Sequence, residues 1–180
     1  MAAEEAHGGH GSGGKKPRGG IMTGPVSLET ITETMKAFGT VDQVRKNRVR
    51  VKTVPDRLHD AIMTSQAVLG FDRLITVSTL DNGETFELLY HLIGPHRIII
   101  SLAIDLPRDT PVTPTTSDLL PPAGIYERQI HDLFGITFTG HPGLKKIVLN
   151  EDWPDKEYPL RKDWKPSPGE FYGGIKVERV

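Results

Sequence analysis

This sequence predicts an α+β fold: an antiparallel-rich mixed sheet with helices packed on one side, followed by an extended Pro/Gly-rich C-terminal tail. Three observations lead there. Two stretches before residue 70 place apolar residues at helical spacing, and alternating stretches between residues 73 and 105 are joined by an Asn-Gly turn. From Thr139 onward the periodicity gives way to proline, glycine, aromatic and charged residues. At 180 residues the chain has room for one domain with a proper core.

Residues 1–22 read as a flexible Gly/His-rich arm with the basic cluster Lys15, Lys16, Pro17 and Arg18. His7 and His10 are assigned no metal, because two histidines in a glycine-rich tail bind weakly. Residues 23–138 form the α/β domain. A first helix is expected over 28–38, capped by Ser27, with Leu28, Ile31, Met35 and Phe38 on one stripe and Gly39 ending it. Residues 41–54 read as two strands joined at Lys46-Asn47, because Val49 and Val51 alternate with Arg48, Arg50 and Lys52. The basic face points to water or to a partner. Pro55-Asp56 opens a second helix, with Leu58, Ile62, Gln66 or Ala67, and Leu69 on its stripe and Gly70 as its stop. Strands follow at 73–80, 84–93 and 97–105, with Asp81-Asn82-Gly83 as the first turn. Phe86, Leu88, Tyr90 and Leu92 give one apolar face; Ile98, Ile100, Leu102 and Ile104 give the matching one.

Five prolines between Leu106 and Pro122 argue for a stiff extended connector, not a central strand. A third helix is expected over 123–134, stopping at Gly135. Residues 139–180 form the tail, with a short strand only at Lys146–Leu149. Fixing each residue of such a tail costs roughly 1–2 kcal/mol of backbone entropy, so its order implies a protein surface to lie on. Trp153, Trp164, Phe171 and Tyr172 are aromatic anchors of the kind that fill interface centres, or that fold back onto their own domain.

Composition removes several functions. The chain has no cysteine, which excludes disulfides, thiolate nucleophiles and cysteine-bound iron–sulfur clusters. Its formal net charge of -1 supplies no overall field for nucleic acid. The apolar run at Ile98–Ile100 is far short of the ~18 residues that span a bilayer. The expected location is the cytoplasmic side of a cell membrane, reached through partners.

The densest polar constellation is Tyr126-Glu127-Arg128-Gln129-Ile130-His131-Asp132, with His141-Pro142 behind it. As a metal site it would use His131, Asp132 and His141, but His131 and Asp132 diverge by about 100° on a helix. As an acid/base site it would need Glu127 and Asp132 in a pocket. Glu127 and His131 share the i, i+4 spacing of a local ion pair, and Arg128 alone reads as a solvated charge.

The run from Glu127 to Pro142, with Tyr158-Pro159-Leu160-Arg161-Lys162-Asp163 behind it, resembles the signature of the 30-kDa subunit family of respiratory complex I. Residues 28–165 are similar in layout to that family's domain, and the connector Pro111–Asp118 looks like relatives in membrane-bound hydrogenases. The resemblance implies a subunit with no cofactor on this chain and iron–sulfur clusters in its partners. Those partners would be a large, 49-kDa-like catalytic subunit, a ferredoxin-like iron–sulfur subunit and a small iron–sulfur subunit, with the membrane arm reached only indirectly and no nucleic acid. It implies fold and interface roles for Glu127, Arg128, Asp132, Gly135, His141, Pro142, Trp153, Pro159, Leu160, Arg161 and Asp163, with Glu127, Arg128 and Asp132 as a polar network and Arg161 and Asp163 as tail anchors. Two other classes stay open: a stand-alone metal-dependent enzyme using His131 and His141, and a nucleic-acid module using Lys15–Arg18 and the Arg45–Lys52 ribbon.

Overall fold

The structure, a computed structural model, describes residues 26–167, 171–172 and 175–176. The arm with His7, His10 and the Lys15–Arg18 cluster lies outside the described residues, as do the side chains of Phe171 and Tyr172.

Helix α1 spans Leu28–Met35, and Ser27 caps it by accepting from the Thr30 amide at 3.1 Å. It ends four residues before Gly39. That glycine serves a close approach instead: a Cβ there would overlap the Lys52 carbonyl, so the chain crosses the next hairpin only with hydrogen at this position. The hairpin consists of β1 (Thr40–Arg45) and β2 (Arg48–Thr53), and α2 (Pro55–Ala67) follows with Pro55 in its first turn. Strands β3 (Arg73–Asp81), β4 (Thr85–Ile93) and β5 (Ile99–Pro107) form an antiparallel meander. A 3-10 turn at Pro95–Arg97 delays β5 by two residues relative to the expected start.

The five strands lie in the order β1-β2-β5-β4-β3, and β2 runs parallel to β5. That pairing joins hairpin and meander into one mixed sheet. Val49 stands beside Ile100 and Val51 beside Leu102, while Tyr90 faces Leu102 and Leu88 faces Ile104 across β4. These residues, with Phe86, Leu92 and Leu106, make one buried face. α1 and α2 meet on it where Ser65 Oγ lies 3.7 Å from Met35 Sδ, and Leu58, Ile62, Ile31 and Met35 are all buried. Fully burying aliphatic side chains of this size contributes roughly 1.5–3 kcal/mol each.

The other face is polar. Arg50 on β2 reaches over the small residues of β5 to pair with Glu87 on β4, and Lys52 pairs with Asp105 at 2.6 Å. Ser101 and Ala103 are buried beneath these long side chains. Two cations of the basic ribbon are therefore matched within the sheet, which leaves less free charge than the alternation implied.

The connector is not wholly strand-free. Val112–Pro114 forms β6, parallel to β7 (Thr137–Thr139), a two-stranded ribbon beside the main sheet. Proline is tolerated because this strand sits at an edge. Between them α3 spans Ala123–Phe134 and ends at Gly135 in the left-handed region, φ 72°. Two-residue strands β8 (Phe171–Tyr172) and β9 (Ile175–Lys176) pair antiparallel near the C-terminus.

Candidate functional site

Helix α3 carries the motif, and its two sides do different things. Ala123, Ile130, Leu133 and Phe134 are buried toward the sheet; Phe134 meets Phe86 edge-on at 5.9 Å, and Tyr126 donates to the Ile75 carbonyl of β3 at 3.1 Å. Glu127 is on this inward side and fully buried. Its carboxyl group accepts from the Thr116 amide at 2.7 Å, the Thr116 hydroxyl at 2.8 Å and the Thr115 hydroxyl. Glu127 thereby fixes the connector on the helix. It does not pair with His131, whose Nδ1 instead bonds the Ile136 carbonyl at 2.8 Å. The i, i+4 pair expected between them is absent because three closer donors surround Glu127.

The outward side holds Arg128 and Asp132. Arg128 donates to the carbonyls of Lys145 and Lys146, both at 3.0 Å. Asp132 Oδ2 accepts from the amides of Ile147, Val148 and Leu149 at 2.6, 2.8 and 3.3 Å. One turn of helix thus grips five residues of backbone, by its carbonyls first and then by its amides. The short strand expected at Lys146–Leu149 is not formed, because three successive N–H groups converge on a single oxygen and cannot also face a neighbouring strand. Arg128 is committed to these carbonyls, not solvated. Glu127, Arg128 and Asp132 hold separate segments and do not bond one another.

His141 uses both ring nitrogens: Nε2 bonds the Gly124 carbonyl at 3.0 Å and Nδ1 accepts from the Gly143 amide at 3.0 Å. Pro142 lies in the turn between and is exposed. The proposed trio His131, Asp132 and His141 is dispersed, and among the described residues no three His, Asp or Glu side chains are grouped to hold a metal ion.

The tail returns at Gly135. A Cβ there would overlap the Tyr158 ring, so the same glycine that ends α3 admits the ring against it. Arg161 Nε donates to the Phe134 carbonyl at 2.8 Å and its guanidinium lies over the rings of Phe86 (5.2 Å) and Tyr158 (4.5 Å). Leu160 donates its amide to the Leu133 carbonyl at 3.2 Å, and Pro159 is half-buried beside it. Asp163 pairs with Arg108, which also pairs with Asp81. Trp153 and Trp164 are half-buried and stack on each other at 6.0 Å.

Burial by itself would raise the pKa of Asp81, but bonds from the Lys162 and Gly83 amides and from Arg108 outweigh it and hold it below the ordinary 3.8. A lowered folded-state value means its stabilisation is fully present above about pH 4 and is lost as pH falls through that value. The free energy of unfolding by urea should therefore fall on acidification below about pH 4, and Asp81→Asn should flatten that part of the slope.

Arg108 escaped the sequence reading, as did the bonding roles of Asp81, Thr115 and Thr116. The run Thr113–Ser117, dense in hydroxyl donors beside a helix with a buried acid, is the signal that could have found the last two.

The model of the family described as respiratory-chain NADH dehydrogenase, 30 Kd subunit, matches residues 48–170, the span that holds most of the sheet, α3 and the returning tail. The chain belongs to this family. The 30 Kd-subunit domain here is 40% identical over 93 residues to the C subunit of NADH-quinone oxidoreductase from Herpetosiphon aurantiacus, covering 51% of this chain and 53% of that one. It is 35% identical over 124 residues to the C subunit of F(420)H(2) dehydrogenase from Methanosarcina mazei, covering 67% and 78%. Its fold matches a trypsin-resistant fragment of Nqo5 with TM-score 0.57 and 26% identity, covering 65% of this chain and 98% of that one. It also matches a chain of the membrane-bound sulfane sulfur reductase, an archaeal respiratory membrane complex, with TM-score 0.62 and 25% identity, covering 76% and 84%. The chain spans about half the length of the NADH-quinone oxidoreductase relatives it matches. No described helix of this 30 Kd-subunit family member is long and apolar enough to cross a membrane.

Proposed function

We propose that the chain is a scaffold subunit, without a catalytic centre or cofactor of its own, in a membrane-bound respiratory oxidoreductase related to complex I. It lies on the cytoplasmic side and holds a large catalytic subunit and iron–sulfur subunits in register for electron transfer coupled to ion translocation. The observation that supports this most is how the motif on and after α3 uses its polar side chains. Glu127, Arg128, Asp132 and His141 bond neighbouring backbone and hydroxyl groups of the same chain, and they share no common pocket. Exposed apolar side chains remain on and beside the helix: Ile125 (62% exposed) on α3, and Ile147 and Val148 on the segment whose amides Asp132 holds. Rigid apolar positions rimmed by polar groups are what a permanent protein interface uses. Family membership supports the class of assembly, with relatives among NADH-quinone, F(420)H(2) and sulfane sulfur enzymes.

A deletion strain of the source organism tests this. Its membranes should lose a large native-gel complex together with its electron-transfer activity, and the wild-type gene should restore both. Persistence of the complex and its activity without this chain would rule the scaffold role out.

A further inference from the structure

Residues 153–164 close on themselves. The two indoles at the ends of the segment stack at 6.0 Å with 27° between planes. Inside the loop, Trp153 Nε1 donates to the Glu157 carbonyl at 2.9 Å and Trp164 Nε1 donates to the Glu157 carboxylate. Two tight backbone bonds, Arg161 N to the Tyr158 carbonyl and Trp164 N to the Arg161 carbonyl, both 3.1 Å, complete the closure. Compact segments of this length whose ends meet are Ω-loops, packed by their own side chains.

The attachment of this loop to the domain is of another kind. It is concentrated in residues 160–163: the Leu160 amide on Leu133, Arg161 Nε on Phe134, the Lys162 amide on Asp81 Oδ2 at 2.9 Å, and Asp163 on Arg108. At the opposite end, Lys146 Nζ donates to the Trp153 carbonyl at 2.7 Å. Between these points a cavity of about 110 Å³ separates the loop from α3, lined by His131, Asp132, Lys146, Trp153, Glu157 and Tyr158. A space of that size and polarity accommodates a few waters at ~30 Å³ each.

We propose that residues 153–164 are a latched Ω-loop, held to the domain by Asp81, Arg108 and Asp163, that lifts as one body while its indole stack stays closed. Local opening in proteins follows cooperative units. This segment is closed on itself by its indole stack and Glu157, and its bonds to the domain, which include Lys146 to Asp155 and the Tyr158 ring on Gly135, all lie along its one inner side. The latch is made of side chains on β3 and just after β5, so the sheet itself sets whether the loop lies down. Lifting uncovers the Phe86 ring and the carbonyls at the end of α3, and it presents the loop to whatever approaches that edge. The inference is independent of the scaffold role.

The full chain tests it, since Trp153 and Trp164 are its only two tryptophans and the exciton coupling between their stacked indoles reports on the closure of the loop. In Arg108→Gln, hydrogen exchange at the Leu160 and Lys162 amides should accelerate about tenfold or more, and trypsin should cut faster after Arg161 and Lys162. Exchange at Ile100–Ile104 and the circular-dichroism couplet of the stacked indoles should stay as in the wild type. Unchanged exchange at Leu160 and Lys162 would overturn the latch. Loss of that couplet in a protein with an intact sheet would show the loop melting, not lifting, and would overturn the one-body claim. Should Arg108→Gln unfold the sheet, Asp163→Asn decides, because that side chain is 76% exposed and its loss leaves the core untouched. Faster exchange at Leu160 and Lys162 in that variant supports the latch, and no change overturns it.

Discussion

Glu127→Ala should lower the stability of the domain by about 3–5 kcal/mol, the largest effect of any single substitution on α3. Glu127 has no exposed surface, and its removal strands the Thr116 amide and hydroxyl in the interior and leaves the Thr115 hydroxyl with Ser117 alone. Each unsatisfied buried donor costs about 1–3 kcal/mol, and the cavity left by the side chain adds to it. Burial, and after it the Glu127 carboxylate, push the Tyr90 phenol upward, so that ring stays neutral and cannot replace the lost acceptor with charge. Glu127→Gln is the informative contrast. Its amide oxygen can still take the Thr116 amide and hydroxyl, while its NH2 group turns to Thr115, whose hydroxyl accepts; a loss of only about 1 kcal/mol is expected. Urea titrations of the three proteins, with equal m values, measure both numbers. Equal losses in the two variants would show that the ionised carboxylate itself, not the side chain's volume or the bonds an amide can keep, holds this site.

Asp132→Ala should cost about 2–4 kcal/mol and act locally, in contrast to Glu127. Three amides lose their acceptor, and the segment 145–149 keeps only the grip of Arg128 on its first two carbonyls. Hydrogen exchange at Ile147, Val148 and Leu149 should rise sharply while the sheet stays protected. Asp132→Asn keeps one carbonyl oxygen at the focus of the three amides and should retain most of the protection, minus the charge-assisted part of each bond. Because Ile147 and Val148 are among the exposed apolar positions of this surface, the alanine variant should also weaken assembly with partner subunits more than its stability loss explains. Comparing recovered complex from cells expressing Asp132→Ala and Asp132→Asn at equal chain levels checks that.

These two carboxylates show where sequence reasoning reached and where it stopped. The helix that carries them was legible, because Ile130, Leu133 and Phe134 repeat at helical spacing before Gly135. Strand faces were equally legible: Phe86, Leu88, Tyr90 and Leu92 alternate and all are buried. The parallel union of β2 with β5 was not, since a pairing across some fifty residues leaves no periodicity in either strand. Nor was the partner of Asp132. Nothing in Lys146–Leu149 distinguishes a strand from a segment whose amides turn to one oxygen, because both are short apolar runs, and only the helix beside it decides. The motif Tyr158–Asp163 pointed to an anchored tail, yet its anchors Asp81 and Arg108 sit on ordinary stretches at strand ends, far from Asp163 in sequence.

The most direct test of the scaffold role is a mild-detergent pull-down of the tagged full chain from native membranes, followed by subunit mass spectrometry and iron analysis. A scaffold subunit should bring down a large catalytic subunit, iron–sulfur proteins and membrane subunits in fixed ratio, with iron in the complex and none on the isolated chain. Recovery of a monomer holding a stoichiometric transition metal would contradict it and would put chemistry on this chain after all.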